Sequence, residues 1–472
     1  FKPKAVWVSY KMKLKWKILP AVFLMLAFIL LSPATTQALP PETYNPGDEA
    51  AIFDGHTFAE DYWTVEKTFT DDTTNDSAEI IMSYVNYGGT GGFHAALLAL
   101  GDIYDYSEDI NSTLPYQLFA MHFTTPSGKE IFAGAVFAFL YAFNDTNLNY
   151  VVDGGEERWF LVPFGWNGGN RTADPVATAV EVTNPEPGHY RFGVTYENLY
   201  CRIVVPIETN LIAFLATLAA PLFEVQISEL TFIYDIEVDT DTGEITAETF
   251  YTIGQVQAFY ALGHTFSDFA EINAALTNVT VGAAHFVTVF GSNYWVEEGT
   301  TTPMPAADWI TANVTTDPAG NERAFAVGVR GTYDLINETD STTVESGLPA
   351  ISWIFSPVLS DLLFLAWQLP ISADFLSVFA YAVSPTLQMF YDGPRDVYDN
   401  ANTLYEAQAF WYAIAFPRFG GYRIEHDPVY TAYSNIGQAA APGIPGFPWE
   451  AVIIGVVVSL TAVFLVRRRK KV

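Results

Sequence analysis

Between Leu230 and Val238 every second residue is large and apolar: Leu230, Phe232, Tyr234, Ile236 and Val238. Glu229, Thr231, Asp235 and Glu237 fill most of the alternate positions. Side chains of an extended chain alternate between two faces, so this spacing buries one face and wets the other. A helix would scatter the same residues around its circumference. Asp239-Thr240-Asp241-Thr242-Gly243 supplies a turn, and Ile245 to Ile253 resumes an extended, Thr-rich and aromatic run. The stretch predicts a long β-hairpin.

The same reading predicts strands at Leu118 to Phe123, Ile131 to Phe143, Trp159 to Pro163, His285 to Phe290 and Ala324 to Tyr333. A further pair, Ala179 to Thr183 and Tyr190 to Val205, flanks the turn Asn184-Pro185-Glu186-Pro187-Gly188. Abundant Tyr, Phe, Val and Thr with frequent Pro and Gly favour a mainly β, β-sandwich-like body. Asn210 to Phe223 and Ile351 to Met389 are apolar without alternation and are expected to be buried helices packed on the sheets. Asp361, Pro370 and Asp374 argue against a membrane span in the second.

The two ends carry targeting chemistry. Lys13, Lys15 and Lys17 precede an apolar run from Ile18 to Leu31, and Thr36-Gln37-Ala38 offers small residues for cleavage, so residues 1–38 read as a signal peptide with a possible upstream extension. Residues 449–466 read as a single C-terminal transmembrane helix, with Trp449 at its outer edge and the basic residues Arg467 to Lys471 held inside in a tail spanning 467–472. Gln438 to Pro448 is a Pro/Gly stalk. The body divides into an N-terminal β-rich domain, 39–180, and a second β-rich domain with the apolar helical layer, 181–437.

Pro445-Gly446-Phe447, followed by an apolar stretch and a basic cluster, resembles the C-terminal sorting signal of archaeal surface glycoproteins known as PGF-CTERM. The resemblance covers fewer than thirty residues. It implies a surface protein cut near the tripeptide and attached to lipid, tethered whether or not the helix is retained.

The chain carries 53 Asp plus Glu against 22 Lys plus Arg, a formal net charge of −31. Between residue 38 and the basic tail only Lys67 and Lys129 remain as lysines. Such a body repels nucleic acid and attracts cations. Cys201 is the one cysteine, so no intrachain disulfide can form, and stability must come from burial, glycans or metal.

Asp145, Asn147, Asn149, Val151, Asp153 and Glu156 fall at positions 1, 3, 5, 7, 9 and 12 of an EF-hand-type loop. Alternate oxygens converge when such a loop curls, with Val151 offering its carbonyl and Glu156 two oxygens, a hard and flexible shell that suits calcium. Tyr150 stands where an EF-hand has glycine, so Gly154 and Gly155 are expected to supply the bend, within a β context. Asp239, Asp241 and Glu244 read as an acidic hairpin tip. Asn75, Asn111, Asn144, Asn170, Asn278, Asn313 and Asn337 each begin an Asn-x-Ser/Thr triplet, marking a glycosylated surface and exposed turns.

No HExxH, GxSxG or Walker-type loop is present, and the seven histidines are scattered. Gly55-His56-Thr57-Phe58 recurs as Gly263-His264-Thr265-Phe266, and Glu425-His426-Asp427-Pro428 reads as a capped turn. Trp159, Trp166, Trp295, Trp309 and Trp411 offer rings for sugar stacking, although most are expected in cores. The expectation is a membrane-anchored cell-surface glycoprotein with a structural or adhesive, S-layer-like envelope role, bound to the membrane and meeting neighbouring surface proteins or glycans. A solute, glycan or lipid receptor and an extracellular hydrolase are the alternatives.

Overall fold

The computed structural model describes residues 53–70, 75–88, 93–106, 109–124, 130–151, 156–163, 173–205, 213, 217, 222–239, 241, 243–292, 294–297, 309–317, 320–328, 331–352, 405–417 and 420–433. Residues Tyr44–Val472 form one compact unit, and the other, Phe1–Thr43, lies outside the described residues. The signal segment, stalk, membrane segment and basic tail read from the sequence also lie outside them, as does most of 210–223 and 351–389.

The described chain is mainly β, a single curled sheet. It begins with β1 (Tyr62–Thr70), β2 (Ser77–Tyr87), β3 (Phe93–Asp105), β4 (Ile110–Thr113), β5 (Gln117–Thr124), β6 (Glu130–Asn144) and β7 (Arg158–Pro163). β8 (Val176–Glu186), β9 (His189–Val204), β10 (Phe223–Val238), β11 (Glu244–Ile253), β12 (Val256–Ala261) and β13 (His264–Phe266) follow. After the short helix α1 (Phe269–Ala275) come β14 (Val279–Ser292), β15 (Tyr294–Glu297), β16 (Trp309–Asp317), β17 (Gly320–Gly328) and β18 (Tyr333–Asn337). The last are β19 (Thr342–Gly347), β20 (Ala350–Ser352), β21 (Tyr405–Phe416), β22 (Arg423–His426) and β23 (Val429–Tyr433).

One limb runs β1-β2-β3-β5-β6-β14-β21-β20. The other runs β8-β9-β10-β11 and then forks, through β22 to β18 and β19, and through β23 to β17, β16 and β15. β7 joins the limbs, pairing with the end of β6 on one side and the end of β9 on the other. The inner faces meet through aromatic pairs: Phe119 stacks on Tyr234 with centroids 4.0 Å apart, and Phe137 meets Phe232 at 4.9 Å. Each such pair adds about 0.5–1.5 kcal/mol beyond its buried area. The portions on either side of residue 181 therefore share one sheet, through the β6–β14 and β7–β9 ladders.

The predicted hairpin is β10–β11, in register from Val238↔Ile245 to Leu230↔Ile253. β8 and β9 also pair as predicted, but β8 continues through Pro185 to Glu186, so the turn shrinks to Pro187-Gly188, with Gly188 at φ 83°. The run Ala324 to Tyr333 is two strands, divided at Gly331. Ile351 and Ser352, read as the start of a helix, belong to β20.

Along the free edge of β8, side chains from the other limb accept backbone protons. Ala177 N–H donates to Asp102 Oδ1 at 2.8 Å and Val182 N–H to Thr64 Oγ1 at 3.0 Å, while Glu66 Oε1 takes Ala179 N–H. Polar side chains thus seal an edge that would otherwise invite another strand. Burial pushes the Asp102 carboxyl up to about 7, against the pull of the Ala177 N–H, and Glu79 and Glu66 add to the rise. An unfolded aspartate titrates near 3.9, so the folded chain holds a proton that the unfolded chain releases. That stability is full at low pH and lost as pH rises through about 7. Asp102→Asn keeps the oxygen for Ala177 and is expected to add on the order of 1–3 kcal/mol at pH 8. Urea unfolding of both proteins at pH 5 and pH 8 checks this, and an equal gain at the two pH values would refute it.

His122 works with the opposite sign. It is buried and stacked on His94, its cross-strand partner, with centroids 6.0 Å apart. Burial, helped by His94, pushes its ring down to about 3. Its contribution is complete above about pH 6.5 and drains as pH falls toward 3. His122→Phe is expected to reduce proton uptake on unfolding at pH 5 by about one, read from the slope of stability against pH. An unchanged slope would sink the assignment.

Candidate functional site

The loop after β6 is wound around Asp145, whose side chain is fully buried. Asn144 N–H donates to Glu157 O at 2.9 Å and Asp145 N–H to Asn278 O at 2.8 Å, closing the loop at its base. Asp145 Oδ1 accepts from Asn149 N at 3.2 Å, and Oδ2 accepts from Tyr150 N at 2.8 Å and Thr280 Oγ1 at 3.3 Å. Asn147 Oδ1 accepts from Asn149 N at 3.1 Å and Asn149 Oδ1 from Val151 N at 2.8 Å, two successive Asx turns. Glu156 Oε1 accepts from Thr146 N at 2.9 Å, tying position 12 back to position 2.

Tyr150 supplies a bend within the described part of the loop. Leu148 and Tyr150 lie in the left-handed region at φ 58° and 63°, so Tyr150 takes the backbone that glycine takes at the sixth position of an EF-hand loop. Such a conformation costs about 1–2 kcal/mol in a residue with a Cβ, and the bonds to Asp145 hold it. Gly154, Gly155 and Asp153 lie outside the described residues.

The structure thus draws Asp145, Asn147, Asn149, Val151 and Glu156 into one hydrogen-bonded loop. Asp145 Oδ1 accepts one N–H and so keeps a second lone pair, the kind of hard oxygen donor that suits a divalent cation. Among the described residues no three His, Cys, Asp or Glu side chains gather as a metal group; this loop instead mixes carboxylate and amide oxygens. At the β10–β11 tip, Asp239 Oδ1 accepts from Asp241 N at 2.8 Å and Asp239 O from Gly243 N at 2.7 Å, a hairpin tip as expected.

Among the triplet asparagines, Asn75 is exposed just before β2, Asn278 is exposed in a turn, and Asn144 and Asn337 are partly exposed at strand ends. Asn111 and Asn313 lie within β4 and β16 rather than in turns, and Asn170 is outside the described residues. Asn144 pairs with Val279 across β6 and β14, so two triplets flank the Asp145 loop.

The repeated Gly-His-Thr-Phe is a repeated turn. Asp54-Gly55 has φ 52° and 94° and Leu262-Gly263 has φ 50° and 94°; after the second, His264-Thr265-Phe266 extends as β13, whereas after the first the chain turns again between Thr57 and Glu60. His426 is not in a capped turn: it is buried at the end of β22, and its neighbour Asp427 accepts from Thr332 N at 2.7 Å. Trp159 packs half-buried against the core, Trp166 is outside the described residues, and Trp295, Trp309 and Trp411 lie on β15, β16 and β21.

Sequence reasoning missed a polar cleft of about 410 Å³ lined by Glu197, Asn198, Glu229, Gln257, Glu338 and Arg423. Burial raises the Glu229 carboxyl; Arg423 opposes the rise while Glu338, Glu197 and Glu425 reinforce it. Burial raises Glu338 too, against Arg423 and the Gln255 N–H. Two carboxyl groups shifted toward neutrality, beside a guanidinium, can hold a polar ligand or exchange a proton with one. The sequence signal was Gly254 in the middle of an extended run. It sits where β11 hands over to β12 along β10, and a Cβ there would lie 2.0 Å from Ser228 Oγ and 2.6 Å from Glu229 N.

Neither a protein-family model, nor a curated protein, nor a solved structure matches the chain.

Proposed function

We propose that this is an exported surface glycoprotein, anchored by its C-terminal apolar segment, whose β-sandwich-like ectodomain serves a structural or adhesive role in the cell envelope with calcium held by the Asp145 loop. The observation that carries the reading is the fully buried Asp145 carboxylate, ringed by neutral donors within a twelve-residue loop of oxygen side chains. Burying a carboxylate costs several kcal/mol unless charge or strong hydrogen bonds offset it, and a divalent cation supplies that charge. The acidic body supports the same view, since divalent ions would also relieve repulsion between neighbouring copies. The flanking Asn144 and Asn278 triplets would place glycans around the loop.

Electron microscopy of the purified protein with calcium and then with chelator tests the reading. Sheets or filaments that form with calcium and dissolve without it support it. Monodisperse particles in both conditions refute self-assembly.

The cleft favours a second reading, a receptor for a small polar solute or glycan, or a hydrolase acting on one. Calorimetric glycan and solute screening against wild type and Glu229→Gln decides it. A saturable ligand or a turnover lost in the variant would favour this reading over the envelope role.

A further inference from the structure

Where the two limbs face each other, two cross-strand rows oppose. On one limb Gln117, Phe137 and His285 lie side by side on β5, β6 and β14. On the other, Phe232, Tyr251 and His426 lie side by side on β10, β11 and β22. The rows touch through Phe137 and Phe232 and through Tyr251 and His285, the latter with centroids 5.9 Å apart. Between them is a small cavity of about 10 Å³, also reached by Thr249.

Four polar side chains line this cavity while nearly fully buried: Gln117 is 2% exposed, Thr249 4%, Tyr251 3% and His426 3%. Gln117 Oε1, Thr249 Oγ1, Tyr251 OH and His426 Nε2 have no hydrogen-bond partner among the described residues. Leaving a buried polar group unsatisfied costs about 1–3 kcal/mol, and four around one space point to a shared occupant.

Their chemistry selects it. His426 Nδ1 donates to Thr332 O at 2.7 Å; a carbonyl can only accept, so the proton sits on Nδ1 and Nε2 presents a lone pair. Gln117 Oε1 is a second acceptor, and the hydroxyls of Tyr251 and Thr249 are two donors. Two acceptors and two donors complement a molecule that donates twice and accepts twice. The space is also about what one water needs. Among the described residues no carboxylate lines it to favour a cation.

We propose that the cavity is a binding site for one water molecule, which donates to Gln117 Oε1 and His426 Nε2, accepts from Tyr251 and Thr249, and so bonds the two limbs of the sheet together. Burial pushes the His426 ring down to about 4, against its bond to Thr332 O and the charge of Asp427, which keeps it the neutral acceptor that the site needs.

High-resolution crystallography of the protein, with anomalous data and metal analysis, tests this directly. The expected result is one isotropic peak within hydrogen-bond reach of all four atoms, with no anomalous signal. An empty cavity, a metal ion, or direct pairing of the four groups with residues 353–404 would overturn it. Magnetic relaxation dispersion gives an independent reading in solution: wild type should hold one more long-lived water than Tyr251→Phe. If that variant does not fold, wild type alone still decides, because the absence of any long-lived water would refute the site.

Discussion

Calcium at about one hundred times its dissociation constant should stabilise the protein by about 2.7 kcal/mol, a rise in Tm of about 3 °C for a folded chain of this size. Asp145→Ala should abolish that rise. It should also lower the calcium-free Tm, because Asn149 N, Tyr150 N and Thr280 Oγ1 all lose their buried acceptor. Three lost bonds to a charged group amount to roughly 3–5 kcal/mol after local relaxation. The two effects separate in one set of melting curves, wild type and variant, each with calcium and with chelator. If the variant retains the full calcium response, the ion binds elsewhere. If wild type has no response, the loop is a polar turn and the envelope reading loses its main support.

Gly193→Ala is expected to be the most damaging single-methyl change in the fold. Gly193 pairs with Ile233 where β9 meets β10 along their whole length. An added Cβ would lie 2.1 Å from Phe232 O and 2.9 Å from Ile233 Cα, and both are backbone atoms of a buried strand that cannot step aside. Overpacking of this kind costs typically 1–3 kcal/mol, and more where backbone must move. Gly88→Ala is the control, since its Cβ would meet nothing within 4 Å among the described residues. Urea midpoints for the two variants should differ clearly, with Gly88→Ala near wild type. Similar midpoints would mean that β9 and β10 can slide apart without loss.

Those strands also show what could be read from residues alone. β10 and β11 were legible because much of each alternates between a buried and a wetter face, as in β11, where every second side chain from Ile245 to Ile253 is buried. β2 and β3 were not. Ile80 to Val85 and Ala95 to Leu100 are buried on both faces, so their apolar runs carry no period of two. The short strands β22 and β23 were hidden by their length, since four and five residues carry too little pattern; β22 is placed by β11 and β18, and β23 by β11 and β17. The Asp145 loop could be singled out because all its oxygens lie within twelve residues. Its bend could not, since a left-handed Tyr150 follows from the closure of the loop around a buried carboxylate and not from tyrosine's own preference. The cleft was invisible for a different reason: Glu229, Glu338 and Arg423 meet only when β10, β18 and β22 come together.

The ladders also determine when the molecule can become whole. β6, paired with β5 on one edge, lacks its long partner on the other until β14 is made, β14 in turn awaits β21, and the second edge of β11 awaits β22 and β23 from the far end of the described chain. A chain emerging from its N-terminus therefore carries open strand edges, with unpaired N–H and C=O groups, through most of its synthesis. Long-range pairing of this kind is slow, and its unfinished forms stick to one another. Assembly is a terminal event: the last strands to appear close the limbs, and until they do the nascent protein depends on being kept apart from its own copies.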